Sequence, residues 1–295
     1  MIVFSIPQHR ALLPAELGES TVPALGRCRF GRFPDGELWV EIDRSAAGRE
    51  CAVLGSLAPP DEQALSVLLL AHTLKRNGAA RVVAVLPYLG YARQDAADAG
   101  QSLGIAWAGA LLEAAGVDEV VTIDVHSAAA EAYFPMPVVS LSPAPLFAAE
   151  LRRGSVTDLC VVAPDEGALE RCRAVAEAAG IEAPIAHLQK RRGAEGIVHG
   201  ALVGDVQPRT VLVDDILDTG ATLLSACAAL REAGVEEISI MATHGTFSGE
   251  RWRELPDVGA QRILVTDSVP DVRRRAGSIV EVMSIAPLLM GALAH

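Results

Sequence analysis

Aromatic residues make up only 4% of this 295-residue chain, so its cores must be aliphatic, as in helices laid on parallel sheets. Cations are in deficit. Lys and Arg number 25 against 37 Asp and Glu, a net charge of −12, which argues against a nucleic-acid partner, since such binding needs a basic patch. The five cysteines, Cys28, Cys51, Cys160, Cys172 and Cys227, are odd in number and scattered, with no C-x-x-C pair. That pattern excludes a zinc ribbon or a disulfide framework and fits reduced, mostly buried thiols of a cytoplasmic protein. The most apolar helix candidate, residues 64–74, contains His72 and falls short of the roughly 18 residues that span a bilayer. Residues 1–15 lack the basic start and long apolar run of a signal peptide. No membrane association is expected.

What is present points to an ordered α/β protein. Hydrophobic residues reach 51% and charged residues 21%, a globular composition, and the length suits two domains of about 150 residues each. Apolar, β-branched runs such as 81–86, 120–124, 159–163 and 237–242 alternate with helical patterns such as 62–77 and 168–179. This alternation predicts right-handed βαβ units and mainly parallel sheets flanked by helices in both halves. Residues 12–17 read as a helix, and 26–42 as a hairpin around Phe33-Pro34-Asp35-Gly36-Glu37, because Pro-Asp-Gly is a turn signal. Residues 138–145 read as the connection between domains, which places the domains at 1–142 and 143–295.

In such sheets ligands lie at the carboxyl ends of strands. The stretch 211–222 reads as strand, loop and helix: Val211-Leu212-Val213-Asp214-Asp215-Ile216-Leu217 leads into Asp218-Thr219-Gly220-Ala221-Thr222. A turn of small residues at a helix start aims backbone N–H groups at one point, which suits a phosphate. Asp214 and Asp215 suit sugar hydroxyls or a hydrated Mg²⁺. A plain turn with a helix cap is the alternative use. The Gly-Lys-Ser/Thr ending of a P-loop and the G-x-G-x-x-G of a dinucleotide fold are both missing from this stretch.

Three further strand ends carry polar groups. In residues 87–95, Arg93 can fork onto phosphate and Gln94 can read an adenine edge, although Arg93 pairing with Asp95 is an equal alternative. His126 ends an apolar strand and Asp165 precedes a helix. Each alone is more often structural, but together they offer a nitrogen and an oxygen to a divalent cation such as Mg²⁺. Lys190-Arg191-Arg192-Gly193 opens a polar stretch to Gly204 that reads as a mobile loop able to bring cations onto phosphoryl oxygens.

Seven segments then occur in one order: Phe33-Pro34-Asp35-Gly36-Glu37, Pro87 to Asp95, Asp124-Val125-His126, Pro164-Asp165, Lys190-Arg191-Arg192, Val213 to Thr222, and Thr243-His244-Gly245-Thr246-Phe247. On these the chain resembles the ribose-phosphate pyrophosphokinases over nearly its whole length. The resemblance implies two domains of the type I phosphoribosyltransferase fold and Mg²⁺-dependent transfer of a diphosphoryl group from ATP to ribose 5-phosphate. It further implies that Phe33, Asp35, Gly36 and Glu37 meet the adenine from a neighbouring subunit of a dimer-based homo-oligomer, and that Arg93 and Gln94 hold ATP. In the same reading His126 and Asp165 serve the metal. Lys190 and Arg192 stabilise the transition state, Arg192 also contacting ribose 5-phosphate, which is bound by Asp214, Asp215, Asp218, Thr219, Gly220, Ala221 and Thr222.

The chain departs from the family pattern after Asp95, where residues 96–101, Ala-Ala-Asp-Ala-Gly-Gln, remove cations and put phosphate grip and phosphate regulation in question. Ala221 stands where the family often has Gly. Two alternatives therefore stand beside the kinase: a non-catalytic, synthetase-like regulatory subunit, and a phosphoribosyltransferase. The latter leaves residues 33–37 and 91–95 without a role.

Overall fold

The computed structural model describes the backbone of residues 1–14, 23–182, 184–193 and 196–294, and their side chains except at 128, 190–193 and 196–200. The chain divides into two compact units, Met1–Leu141 together with the last helix, and Ser142–Ile285.

In the first unit the elements run β1 (Ile2–Ser5), β2 (Ala24–Leu25), β3 (Cys28–Arg32), β4 (Leu38–Ile42), β5 (Glu50–Leu54), α1 (Glu62–Arg76), β6 (Arg81–Leu86), α2 (Gly104–Ala114), β7 (Glu119–Ile123), α3 (Ala128–Glu131) and β8 (Val138–Leu141). Six of the strands form a wholly parallel sheet in the order β2-β1-β5-β6-β7-β8. Parallel strands covered on both faces read as nearly unbroken apolar runs, and β5 and β6 are buried from their second residue onward. The core joins Phe4, Val53, Ala84 and Leu86 from strands to Val67, Leu70 and Leu74 of α1 and to Ile105 and Leu112 of α2. The strands β3 and β4 form a separate antiparallel hairpin.

The second unit contains α4 (Ala144–Leu151), β9 (Leu159–Ala163), α5 (Leu169–Ala179), β10 (Ala186–Gly193), β11 (Gly196–Val203), β12 (Arg209–Leu217), α6 (Ala221–Glu232), β13 (Glu237–Gly245), β14 (Ala260–Thr266), α7 (Val272–Ala276) and β15 (Glu281–Met283). Its seven-stranded sheet has the order β11-β10-β9-β12-β13-β14-β15 and is parallel except at β10–β11. Alternation along the strands fills two cores. Cys160, Val162 and Leu212 pack with Leu223, Leu230 and Trp252 on one face, and Val161, Val211 and Val213 pack with Phe147, Cys172 and Val175 on the other.

The α/β class with mainly parallel sheets is as expected, but four local expectations are corrected. Residues 138–141 are not linker: Val138 and Val139 are β-branched and extend the first sheet beside β7. In the stretch 190–204 expected to be a loop, residues 190–193 and 196–203 are strand instead, because β10 continues to Gly193 and pairs antiparallel with β11, while 194 and 195 lie outside the described residues. The helix expected at 12–17 is displaced by a 3-10 helix at Pro7–Leu12, while 15–17 lie outside the described residues. The last helix, α8 (Ala286–Leu293), groups with the first unit instead of the second. Among the described residues no helix is long and apolar enough to cross a membrane.

Candidate active site

In the second unit the exits of three adjoining parallel strands, β9, β12 and β13, carry the expected polar groups. The loop after β12 closes at Gly220, whose φ of 81° lies in the left-handed region that glycine enters without steric cost. A Cβ there would come within 2.7 Å of the Trp252 Cα, so the absence of a side chain also permits close approach of two backbones. Helix α6 starts at Ala221, whose N–H points to Thr219 Oγ1 at 3.4 Å. Asp218 Oδ1 accepts from the Thr246 hydroxyl at 3.0 Å and from the Ser248 N–H at 3.2 Å. The segment after β13 is itself tied to Leu217, whose carbonyl accepts from the N–H groups of Thr246 and Phe247.

One strand turn earlier, Asp214 is partly buried and Asp215 is buried. Burial, together with the charge of adjacent Asp215, pushes the Asp214 carboxyl well above the usual carboxylate range. Its Oδ1 accepts from the Asp215 N–H at 2.9 Å. Asp165 leaves β9 and caps the following 3-10 turn, accepting from the Ala168 N–H at 3.2 Å.

The first unit repeats this arrangement at the exits of two adjoining strands, β6 and β7. Arg93 and Gln94 are exposed, presented by a turn in which the Gln94 N–H donates to the Tyr91 carbonyl at 3.0 Å. The Ser102 hydroxyl lies 3.3 Å from Gln94 Oε1. Asp95 accepts from Ser127 at 2.6 Å, which joins the β6 loop to the β7 exit. Just before exposed His126, Asp124 is buried with a φ of 49°, an uncommon backbone state for a residue with a side chain. Tyr91 also has a left-handed φ, 66°. Its phenol donates to Asp61 Oδ1 at 2.5 Å, and that bond pushes its pKa up to about 12.

The hairpin tip carries Phe33, Asp35, Gly36 and Glu37, all exposed. Its turn is closed by the Phe33 N–H to the Glu37 carbonyl at 2.9 Å and by Asp35 Oδ1 accepting from the Glu37 N–H at 3.1 Å. Arg32 steadies it by pairing with Glu62 of α1 and donating to the Gly36 carbonyl. Lys190 and Arg192 lie on β10, opposite His199 and Ile197 of β11. Their side chains fall outside the described residues.

Sequence reasoning missed four residues that hold the others: Thr246, Ser248, Ser127 and Asp61. Only Thr246 lay in a recognised motif, and no local signal told which acid its hydroxyl would reach. Among the described residues no group of three or more His, Cys, Asp or Glu side chains is gathered for a metal. His126 lies in the first unit and Asp165 in the second, and each is the kind of single donor that leaves an ion such as Mg²⁺ its waters and substrate phosphates as further ligands.

Two family models match the chain: the N-terminal domain of ribose phosphate pyrophosphokinase over residues 1–116, and a phosphoribosyl synthetase-associated domain over residues 185–294. The ribose-phosphate pyrophosphokinase of Chromobacterium violaceum is 36% identical over 272 residues, covering 90% of this chain and 83% of that protein. That of Ralstonia nicotianae is 33% identical, covering 98% and 92%. A crystal structure of phosphoribosylpyrophosphate synthetase from Mycobacterium smegmatis superposes with a TM-score of 0.85 at 30% identity, covering 99% of this chain and 97% of that one.

Proposed function

The chain belongs to the ribose-phosphate pyrophosphokinase family, and on that premise we propose that it converts ribose 5-phosphate and ATP to 5-phosphoribosyl 1-diphosphate and AMP. The C1 oxygen of ribose 5-phosphate forms a bond to the β-phosphorus of ATP. The bond between that phosphorus and the α-phosphate bridging oxygen breaks, AMP leaves with the electron pair, and the hydroxyl proton is released.

Such a transfer asks little covalent chemistry of the protein and much positioning and charge compensation. Arg93 and Gln94 grip ATP, with Phe33, Asp35, Gly36 and Glu37 holding the adenine of a neighbouring subunit in a dimer-based homo-oligomer. The exposed hairpin tip supports that assignment. The loop of Asp218, Thr219, Gly220, Ala221 and Thr222 takes the 5-phosphate at the start of α6, while Asp214 and Asp215 accept from ribose hydroxyls. Lys190 and Arg192 meet charge developing on the transferred group, and Arg192 also contacts ribose 5-phosphate. His126 and Asp165 would each offer a donor to Mg²⁺, which would supply charge neutralisation at phosphoryl oxygens. The enzyme works in the cytoplasm.

One observation carries this reading: motif residues lie on the carboxyl ends of adjoining parallel strands in each unit, β6 and β7 in the first and β9, β12 and β13 in the second. The test is AMP release with ATP, Mg²⁺ and the protein, with and without ribose 5-phosphate. AMP that depends on the sugar phosphate is the expected outcome. Nucleotide binding without turnover would identify the regulatory subunit instead.

A further inference from the structure

Two local preferences are given up at one contact in the first unit. Tyr91 sits at a φ of 66°, where a bulky side chain is an outlier that costs on the order of 1 kcal/mol or more. Asp61 occupies the N-cap of α1, yet its side chain makes no capping hydrogen bond, although Asp is among the strongest N-cap residues. The two meet: the Tyr91 hydroxyl donates to Asp61 Oδ1 at 2.5 Å. The Tyr91 ring lies edge-on to Trp107 of α2, centroid to centroid 5.0 Å. Sites where a sequence breaks its own local rules are where function is to be sought.

The consequence falls on the next three residues. Ala92 is buried in the core, and the turn from the Tyr91 carbonyl to the Gln94 N–H leaves Arg93 and Gln94 facing solvent. The direction of that turn follows from where Tyr91 is held. Asp61 fixes it from the β5 exit and Trp107 from α2, while the bond from Ser127 to Asp95 fixes the far end of the same segment.

We propose that Tyr91 and Asp61 are positioning residues of the nucleotide site, their hydrogen bond setting the angle at which Arg93 and Gln94 meet ATP. This rests on the reading that residues 87–95 bind ATP. Neither residue touches the transferred group, so their loss raises the KM for ATP and spares the KM for ribose 5-phosphate.

Tyr91→Phe keeps the ring on Trp107 and removes the donor, and Asp61→Ala removes the acceptor. Each should raise the KM for ATP about tenfold, as loss of a charge-assisted hydrogen bond does, with kcat within about twofold of the parent and the KM for ribose 5-phosphate unchanged. The double variant should match the singles, and Asp61→Asn, which keeps an acceptor, should recover most of the affinity. An unchanged KM for ATP in Tyr91→Phe overturns the proposal. So does an additive double variant, or a joint loss of kcat, both KM values and melting temperature. Should the parent protein release no AMP, the proposed reaction fails by itself. Calorimetric titration with ATP and Mg²⁺ then decides the inference: a Kd weakened about tenfold in Tyr91→Phe upholds it, and an equal Kd, or no ATP binding by the parent, overturns it.

Discussion

The hydroxyl of Thr246 donates to Oδ1 of Asp218 at 3.0 Å, so the acid after β12 is aimed by a residue that leaves β13. A loop shaped by backbone alone could swing at its first residue. Here that residue is tied to the neighbouring strand exit.

Thr246→Val keeps the shape and removes the donor. A hydrogen bond to a charged group contributes about 1.5–3 kcal/mol, so the KM for ribose 5-phosphate should rise on the order of tenfold while the KM for ATP stays put. Steady-state rates with each substrate varied in turn check this, and equal effects on both KM values would count against a local role.

Gly220→Ala places a Cβ 2.7 Å from the Trp252 Cα at a φ of 81°. Backbone strain of this kind costs about 1–3 kcal/mol, and the clash is with main chain, which yields little. Urea denaturation should show the second unit unfolding earlier. A midpoint equal to that of the parent would mean the two backbones separate freely.

Asp214 has its pKa raised by burial and by Asp215, so the folded state favours the protonated acid. The associated stability is present below the unfolded value, about 3.9, and is lost as pH rises through the higher folded value. Asp214→Asn should therefore gain stability relative to the parent as pH climbs from 4 to 8 without ligand. Parallel urea curves would refute the assignment.

His9 shows the opposite limb. It is buried, neither ring nitrogen has a hydrogen-bond partner among the described residues, and burial lowers its pKa to about 4. The folded state refuses a proton that the unfolded chain takes up near 6.5, so this contribution is intact above 6.5 and lost as pH falls towards 4. His9→Leu should remove a pH-dependent loss of about 3 kcal/mol, at about 1.4 kcal/mol for each pKa unit. Thermal melts of both proteins between pH 7 and 4 measure it.

Lys190→Ala should lower turnover on the order of 10²-fold, as removal of a transition-state donor does, with ATP affinity retained. Single-turnover rates together with ATP titration check the split, and full turnover would relieve Lys190 of the role.

Much of this molecule could be read from residue order alone. Apolar β-branched runs broken by amphipathic segments dictated the parallel sheets, because strands covered on both faces have few other solutions. Asp218 and the small residues after Leu217, and the cation and amide at Arg93 and Gln94, marked the strand exits because small and polar residues interrupt the apolar runs there. Tertiary structure decided what depends on contacts distant in sequence. It made 190–193 and 196–203 parts of an antiparallel pair by offering an edge strand a partner, gave Val138 and Val139 a place beside β7, and attached α8 to the first unit. It also chose Asp61 for Tyr91 and Thr246 for Asp218, because a side chain's sequence tells that it can donate or accept, and only packing tells which partner comes within 3 Å.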